Sequence, residues 1–484
     1  MSADWQRLDR RMLLVHPVRE VLRFMPVLIG VVVFGSTSGG GFGLRWELLG
    51  VLVPVALGVL RYLTTAYRIH EGRVELRRGL LQRHLLAARL DRVRTVDTSA
   101  SLIQRVLDLA TVRIGTGASE QDLDLDGLRA GPARELRAQL LRESAAAPTD
   151  EPAEASAEAE AGFEAEATPA RPVLRLDPTW SRYAPLTSAG LAITGALLTA
   201  LTQLPLPLDA GDLAVAGVAM VVAALLALAV AVSVLAVGGY LVANWGLTLT
   251  HEHGSWHLRR GLTTTRETSV DDARLAGVSI AQPVNLRLAG AARLSSIVTG
   301  LQGEGQSQME LVPPAPRAVV VGVAGEVLGD HAPAAAPLRP HGPAAVRRRW
   351  VRALVPALAV TVAAVVLVAQ TGIGAWLLGV AVLAPVAGAL LALDRSRTLG
   401  HALLGGRLVA QSGSLTCRRD VLGVEHVIGW NLQDSWFQRR AGLTTLVATT
   451  AGGRQRVVVP DVPEDVAVEL AAAATPDLLA QFRG

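Results

Sequence analysis

Along the chain, uncharged apolar blocks are separated by stretches that mix polar and apolar residues in an alternating pattern. The clearest block covers residues 353–393, where no charged residue occurs. A transmembrane helix needs about 20 apolar residues, so this block is long enough to cross a bilayer twice. Its middle, residues 370–374, reads Gln-Thr-Gly-Ile-Gly and suits a tight turn. The pattern predicts two membrane helices joined as a hairpin.

Two further pairs of apolar runs predict the same arrangement. Residues 184–208 and 213–250 are uncharged and are separated by a short connection with two prolines and two aspartates. Residues 21–36 and 48–60 form a weaker pair around a glycine-rich stretch, and flanking arginines would have to snorkel toward the headgroups. For this first pair, two buried helices of a soluble domain are the alternative.

The polar stretches between the blocks are copies of one another. Residues 76–80 and 258–262 share the sequence Leu-Arg-Arg-Gly-Leu, and residues 408–413 are the equivalent stretch after the third pair. A related segment returns thirty residues after each of the three glycines, around Leu109, Ala291 and Leu443. A common offset in three places indicates an internal repeat.

Each copy is predicted to hold several short strands and one C-terminal helix. Residues 73–77 alternate polar and apolar, and residues 85–90 and 111–116 are also strand-like. Each copy ends with a proline that precedes a helical segment: residues 133–142, 317–328 and 464–472. Strands this short need closure to protect their edges, so a small barrel or sandwich capped by the helix is expected.

Composition and charge agree with a membrane protein. Hydrophobic residues make up 50% of the chain and charged residues 18%, and the mean hydropathy is +0.36. All 46 cationic residues are Arg, and the formal net charge is +4. Arginines flank the apolar pairs and are nearly absent from the turns within them, which predicts that the termini and the large polar stretches are cytoplasmic. We expect the first apolar segment to stay uncleaved, since no Ala-x-Ala site follows it.

The remaining sequence features carry little chemistry. Residues 143–168 hold eight acidic and no basic residues, which predicts a disordered or transiently helical linker. The single cysteine cannot form an intramolecular disulfide. His251, His253 and His257 would share a face if they lay on one strand, where they could bind Zn²⁺ or Ni²⁺; exposed polar residues at the start of a module are the alternative. No Walker, zincin or nucleophile-elbow pattern occurs.

These features resemble the bacterial pleckstrin-homology (PH) domain proteins of the YdbS/YdbT type. The resemblance is carried by Tyr67-Arg-Ile with residues 76–80, by Arg89-Leu-Asp-Arg-Val-Arg-Thr-Val-Asp97, by residues 105–116 and by residues 427–445. The first and third copies match well. The second is degenerate, since Asp271 stands where the first copy has Arg89.

The resemblance implies a membrane α + β fold: six transmembrane helices as three hairpins, each followed by a PH-like β-barrel or sandwich with a C-terminal helix. The expected divisions are hairpin 1 (1–63), PH-like domain 1 (64–143), the acidic linker (144–175), hairpin 2 (176–244), the degenerate PH-like domain 2 (245–331), a second linker (332–349), hairpin 3 (350–394) and PH-like domain 3 (395–484).

The resemblance also implies a non-enzymatic role without cofactors. We expect a scaffold in the bacterial cell membrane that binds membrane lipids, another membrane protein or a second copy of itself, and no nucleic acid. Family members are associated with envelope stress and antimicrobial-peptide resistance. Candidate lipid- or partner-binding residues, by analogy with a basic PH-domain loop, are Arg77, Arg78, Arg83, His84, Arg259 and Arg260. The alternatives are a transporter or lipid-handling protein and a metal sensor.

Overall fold

The computed structural model describes most of the chain after residue 171 and parts of the region before it. The described residues are 5–7, 9–13, 15, 56, 59–60, 62, 64–70, 73–78, 84–89, 95–115, 123–133, 172–202, 216–252, 254–299, 309–371, 374 and 376–476. Most of the first apolar pair and the acidic residues 143–168 lie outside them, so both expectations stay predictions.

Ten α-helices are described. They are α1 (Leu102–Val106), α2 (Ser188–Thr202), α3 (Ala216–Asn244), α4 (Val284–Leu288), α5 (Arg317–Leu328), α6 (Ala332–Ala335), α7 (Pro343–Thr371), α8 (Trp376–Arg397), α9 (Trp436–Arg439) and α10 (Glu464–Ala474). The helices α5 and α10 cover two of the three C-terminal segments predicted from the repeat, and in both the proline is the N-cap residue. Of the other segment, residues 134–142 lie outside the described residues.

Twenty strands are described, all paired antiparallel. They are β1 (Gln6–Arg7), β2 (Ala66–His70), β3 (Arg73–Arg78), β4 (His84–Arg89), β5 (Thr95–Ser101), β6 (Leu109–Gly115), β7 (Leu123–Arg129), β8 (Pro172–Arg175), β9 (Thr248–Glu252), β10 (Ser255–Arg260), β11 (Thr264–Asp271), β12 (Leu275–Pro283), β13 (Ala291–Val298), β14 (Glu310–Pro316), β15 (Gly400–Leu404), β16 (Arg407–Ser412), β17 (Thr416–Gly423), β18 (Gly429–Gln433), β19 (Leu443–Thr449) and β20 (Arg456–Pro463).

Among the described residues, three helices are long and apolar enough to cross a membrane: α3, α7 and α8. Their apolar side chains are exposed. Leu226, Val230 and Val234, one turn apart along α3, are each more than 60% exposed. A soluble protein rarely leaves such a continuous apolar stripe uncovered, so lipid is the natural solvent for it. The apolar helix α2 is shorter, with 15 residues.

The helices α7 and α8 pack against each other in antiparallel directions. The hydroxyl of Thr361 donates a hydrogen bond to the carbonyl of Ala381 at 3.0 Å. Further along, a Cβ at Gly388 would come within 2.8 Å of the Ala357 methyl, so only glycine allows this close approach. The helix α7 ends at Thr371 and α8 begins at Trp376.

The chain forms two compact units. The first combines Met1–Arg175 with Val242–Asp271, and the second combines Leu176–Leu241, Asp272–Thr299 and the chain after Glu304. In the first unit, β1-β2-β3-β4 form one sheet and β7-β6-β5-β11-β10-β9-β8 form another. The strand β8 lies in the predicted acidic linker. Three of its residues pair with β9 at the edge of the sheet.

The second unit contains a complete β-sandwich. Its sheets are β14-β13-β12-β17-β16-β15 and β18-β19-β20. Leu408 and Leu422 of the first sheet, Leu446 and Val459 of the second, and Ala467 of α10 belong to one buried cluster. The third module is therefore two short sheets around a common core with a C-terminal helix, as the repeat predicts.

Candidate functional site

A tight turn built on one glycine joins the second and third strands of the second and third modules. Gly261 has φ +111° and Gly413 has φ +115°. A Cβ at either position would clash with the carbonyl oxygen three residues later, that of Thr264 or Thr416. Only glycine adopts this conformation without strain, which explains the repeated glycine of the sequence motif.

In the first unit, this turn lies against the end of the apolar helix α3. The N–H of Gly261 donates to the carbonyl of Trp245 at 2.9 Å, and the N–H of Leu262 donates to the carbonyl of Val242 at 2.8 Å. The last carbonyls of a helix lack partners within the helix, so the turn satisfies them. Trp245 is 52% exposed at this end, which suits a membrane boundary.

The equivalent turn in the second unit lies against the end of α8. The hydroxyl of Thr398 donates to the carbonyl of Gly413, and Nε of Arg395 donates to Oγ of Ser414 at 3.2 Å. In both units the turn between the second and third strands therefore contacts the last residues of a helix able to span a membrane. This contact ties the module to the end of that helix.

The first and second modules share a sheet. Counted from β2, the fourth strand of module 1 is β5. It pairs antiparallel with β11, which is the third strand of module 2 counted from β9. Thr264 lies opposite Ser101, and Glu267 lies opposite Thr98. Just beyond the paired strands, the guanidinium of Arg105 in α1 donates to the carbonyl of Leu262 in the turn.

The second and third modules share a sheet in the same way. The corresponding strand of module 2, β12, pairs with β17, the third strand of module 3. Thr416 lies opposite Pro283, and the N–H of Val284 in α4 donates to the carbonyl of Leu415 in the turn at 2.8 Å. The pairing is close, because a Cβ at Gly277 would clash with the carbonyl of Val421.

The two junctions use one register. Thr264 and Thr416 each follow the turn glycine by three residues. Their partners, Ser101 and Pro283, each precede the repeated arginine, Arg105 or Arg287, by four residues. The strand pairing is thus a repeated interface between modules with a defined alignment, and the sequence motifs alone did not reveal it.

A buried ionic cluster ties α7 to the third module. Asp461, 1% exposed, lies 2.8 Å from Nε of Arg348 and 2.8 Å from Nη2 of Arg349. Nε2 of Gln438 donates to Oδ1 of the same carboxylate at 2.9 Å and to the hydroxyl of Thr445 at 2.8 Å. These arginines lie in the first turns of α7, which begins at Pro343.

Two buried histidines lie beside this cluster. The rings of His341 and His401 are 4.9 Å apart, and each residue is 3% exposed. Nδ1 of His341 is 2.9 Å from the carbonyl of Pro460. Burial lowers the pKa of His341, and burial together with the charges of His341 and Arg339 lowers the pKa of His401 to about 4. Both rings are therefore neutral at physiological pH.

Three of the basic candidates of module 1 lie on the paired strands β3 and β4. Arg77 lies with its guanidinium 5.0 Å from the ring centroid of Trp5, while Arg78 lies opposite His84 on the adjacent position of the strand. Arg83 lies outside the described residues.

The two arginine candidates of module 2 are successive residues of β10, so they point to opposite faces of that strand. Nε of Arg259 lies 3.4 Å from Oε1 of Glu267. Nη1 of Arg260 donates to Oδ1 of Asn244 at 3.5 Å, at the end of α3. Of the six candidate residues, Arg260 is the one that the described contacts bring to the end of a membrane-length helix.

The structure describes two of the three candidate metal-binding histidines, His251 and His257. The strand β9 ends at Glu252, Gly254 turns the chain with φ +72°, and β10 begins at Ser255. His251 lies opposite Trp256, so His257, the next residue, points to the other face, where Nδ1 is 2.7 Å from Oγ of Ser269. His253 lies outside the described residues. Among the described residues, no group of three potential ligands could hold a metal ion.

Short antiparallel sheets, a C-terminal helix and adjoining apolar helices define a class of membrane-associated β-sandwich proteins. Comparison with known protein families identifies the family within this class. A model of the bacterial PH domain matches residues 23–144 and residues 353–475, just over half of the chain, and the chain belongs to that family. The matched ranges hold the first and third copies. No curated protein and no solved structure matched the chain. PH domains are generally non-catalytic interaction domains, which favours a non-enzymatic, membrane-associated protein.

Proposed function

We propose that this protein is an integral membrane scaffold that binds proteins at the cytoplasmic face of a bacterial membrane. In this proposal six helices form three hairpins, and all three PH-like modules and both termini are cytoplasmic. The arginines at the ends of α7 and α8 support that orientation, since positive residues stay inside. The modules would be held at the bilayer surface by their turns.

The observation that carries the proposal is the pair of strand junctions. Twice within this chain, one PH-like module recognises another by adding a strand to its sheet. Strand addition gives affinity through main-chain hydrogen bonds and needs little sequence specificity. A chain that uses this contact internally has the chemistry for binding a protein partner by the same contact.

Cysteine labelling tests the orientation. In a Cys417→Ser background, cysteine would be introduced at Val468, exposed on α10, and at Gln370, exposed at the end of α7. We expect a membrane-impermeant maleimide to label Gln370→Cys in intact cells, and to label Val468→Cys only after permeabilisation. The opposite pattern would place the modules outside and overturn the proposal.

Crosslinking in native membranes tests the scaffold role itself. We expect crosslinked species that contain this chain and at least one further protein copy. A chain that stays monomeric in membranes and recovers no partner would count against a scaffold. Solute or lipid flux in reconstituted vesicles would favour the transporter alternative. The predicted link to envelope stress is tested by the antimicrobial-peptide sensitivity of a deletion strain.

Contact with anionic lipid is a second candidate function, favoured by Arg260 beside Asn244 and the exposed Trp245. A cation near an anionic surface is worth about 1 kcal/mol. We expect anionic vesicles to raise the melting temperature of the wild type more than neutral vesicles do. Arg259→Gln/Arg260→Gln should reduce that difference, and an unchanged difference would remove these residues from lipid binding.

A further inference from the structure

Both internal junctions join the same two kinds of strand. The fourth strand of one module, β5 or β12, pairs with the third strand of the next, β11 or β17. Counted in the same way, β18 is the fourth strand of module 3 and β4 is the third strand of module 1. Among the described residues, β18 pairs only with β19, and β4 pairs only with β3. One half of the interface is therefore left at each end of the array.

The strand β18 is exposed, as expected of a strand that lacks the partner present at the internal junctions. Asn431, Leu432 and Gln433 are exposed, and Leu432 keeps 48% of its surface accessible. The equivalent stretch of β12, which pairs with β17, is buried. Leu85 in β4 is likewise 58% exposed.

Five of the other sheet edges carry features that discourage pairing. The strand β18 carries none of them, and the only charged residue of β4 is its last, Arg89. Proline lacks an N–H to donate and charged side chains oppose strand addition, so natural edges often contain them. The edges β8, β14 and β20 contain proline, β7 contains two aspartates, and Arg339 bridges to β15 at His401. The strand β18 reads Gly-Trp-Asn-Leu-Gln, without charge or proline.

We propose that β18 of one chain pairs antiparallel with β4 of a second copy, so that the protein assembles head to tail through the interface that already joins its modules. This inference rests on the proposed scaffold function and names the partner. The shared register of the internal junctions fixes the alignment. It sets Leu432 opposite Leu85 of the second copy. The corresponding pairs in the internal junctions are Thr98 with Glu267 and Ile280 with Arg419.

The alignment matches the chemistry of the two edges. It brings together two exposed leucines, and directly opposed side chains in an antiparallel pair contact each other. Beyond the end of β18, Trp436 is 55% exposed and Phe437 is 69% exposed in α9. The equivalent short helices α1 and α4 contact the neighbouring module in the internal junctions. The contact is heterologous, so it generates rings or open chains rather than a symmetric dimer.

Disulfide crosslinking between two differently tagged chains tests the alignment. Both chains carry Cys417→Ser, one with Leu432→Cys and the other with Leu85→Cys, and they are co-expressed and oxidised in membranes. We expect a disulfide-linked heterodimer from this pair, and none from either variant alone. Asn431→Cys with Leu85→Cys is the matched control, because Asn431 is one residue out of register and on the opposite face. Equal crosslinking of the control pair, or no crosslinking of the Leu432 pair, would overturn the alignment.

A charge on the open edge tests the assembly without cysteine. Leu432→Arg should convert the detergent-solubilised assembly to monomers, measured by light scattering. Val468→Arg changes an apolar residue of similar exposure on α10 and should leave the assembly intact. Monomeric Leu432→Arg with an unchanged melting temperature supports the proposal, and an intact assembly refutes it. If the wild type crosslinks in membranes to a different protein and never to itself, the scaffold function stands and this inference fails.

Discussion

Neutralising Asp461 should destabilise the attachment of α7 to the third module. The carboxylate is the counter-charge of Arg348 and Arg349, whose side chains are 13% and 15% exposed. Asp461→Asn is the suitable change, because the residue has φ +56° and asparagine tolerates that left-handed conformation. The variant also keeps an acceptor for Gln438, so the measured loss reports the charge.

Removing one partner of a buried ion pair costs about 3–5 kcal/mol. Since the two guanidiniums keep some access to water, we expect the lower end, about 3 kcal/mol. At roughly 2–4 °C per kcal/mol, the melting temperature in detergent should fall by about 6–12 °C. Adding Arg349→Met should recover part of the loss, because one of the two unpaired cations is then removed.

Asp434→Asn provides the control for this prediction. Asp434 lies 3.6 Å from Arg439 at the surface, with 39% and 62% of the two side chains exposed. An exposed pair of this kind contributes about 0–1 kcal/mol, so this variant should melt close to the wild type. If Asp461→Asn melts no lower than Asp434→Asn, the ionic cluster does not hold α7 to the module.

Two further changes test the buried histidines and the turns. The pKa of His401 is about 4 in the folded protein, below the ordinary 6.5, so the unfolded chain binds the proton more readily and stability should fall as the pH drops from 6.5 toward 4; His401→Gln should weaken that dependence in melting curves, and an identical slope would contradict the assignment. Gly413→Ala should cost more than about 1 kcal/mol, because φ is +115° and a Cβ would clash with the carbonyl of Thr416. Gly322→Ala, in the helix α5 where nothing lies within 4 Å of the new Cβ, should instead stabilise by up to about 1 kcal/mol, and equal melting temperatures for the two variants would refute this reading of the turn.

Local features of this fold could be predicted because their causes are local. The turn glycines repeat because each needs positive φ, and α5 spans the residues that follow Pro316 in the sequence pattern. The histidine candidates show where such local reasoning ends. Gly254 turns the chain between His251 and His257, so the alternation of faces along one strand does not continue from one histidine to the other.

The features missing from the prediction depend on residues far apart in the chain. Arg348 and Arg349 stand where arginines usually flank a membrane helix. Nothing near them in the sequence indicates their partner Asp461, which lies in β20. The strand β8 has only four residues and exists through its pairing with β9. The internal junctions pair strands more than 130 residues apart, so periodicity within either strand gives no information about the partner.

The junctions offer a physical account of why the middle copy tolerates a degenerate sequence. A three-stranded sheet of short strands is marginal alone and leaves two edges that invite misplaced pairing. Each sheet of the middle copy is extended by a neighbour, β9–β11 by β5 and β12–β14 by β17, so main-chain pairing supplies stability that does not depend on a particular side chain. The first and third copies each keep one sheet, β2–β4 and β18–β20, that no other module extends among the described residues. Selection for the family's own motif should therefore be strongest at the two ends, which are the copies that the family model matches.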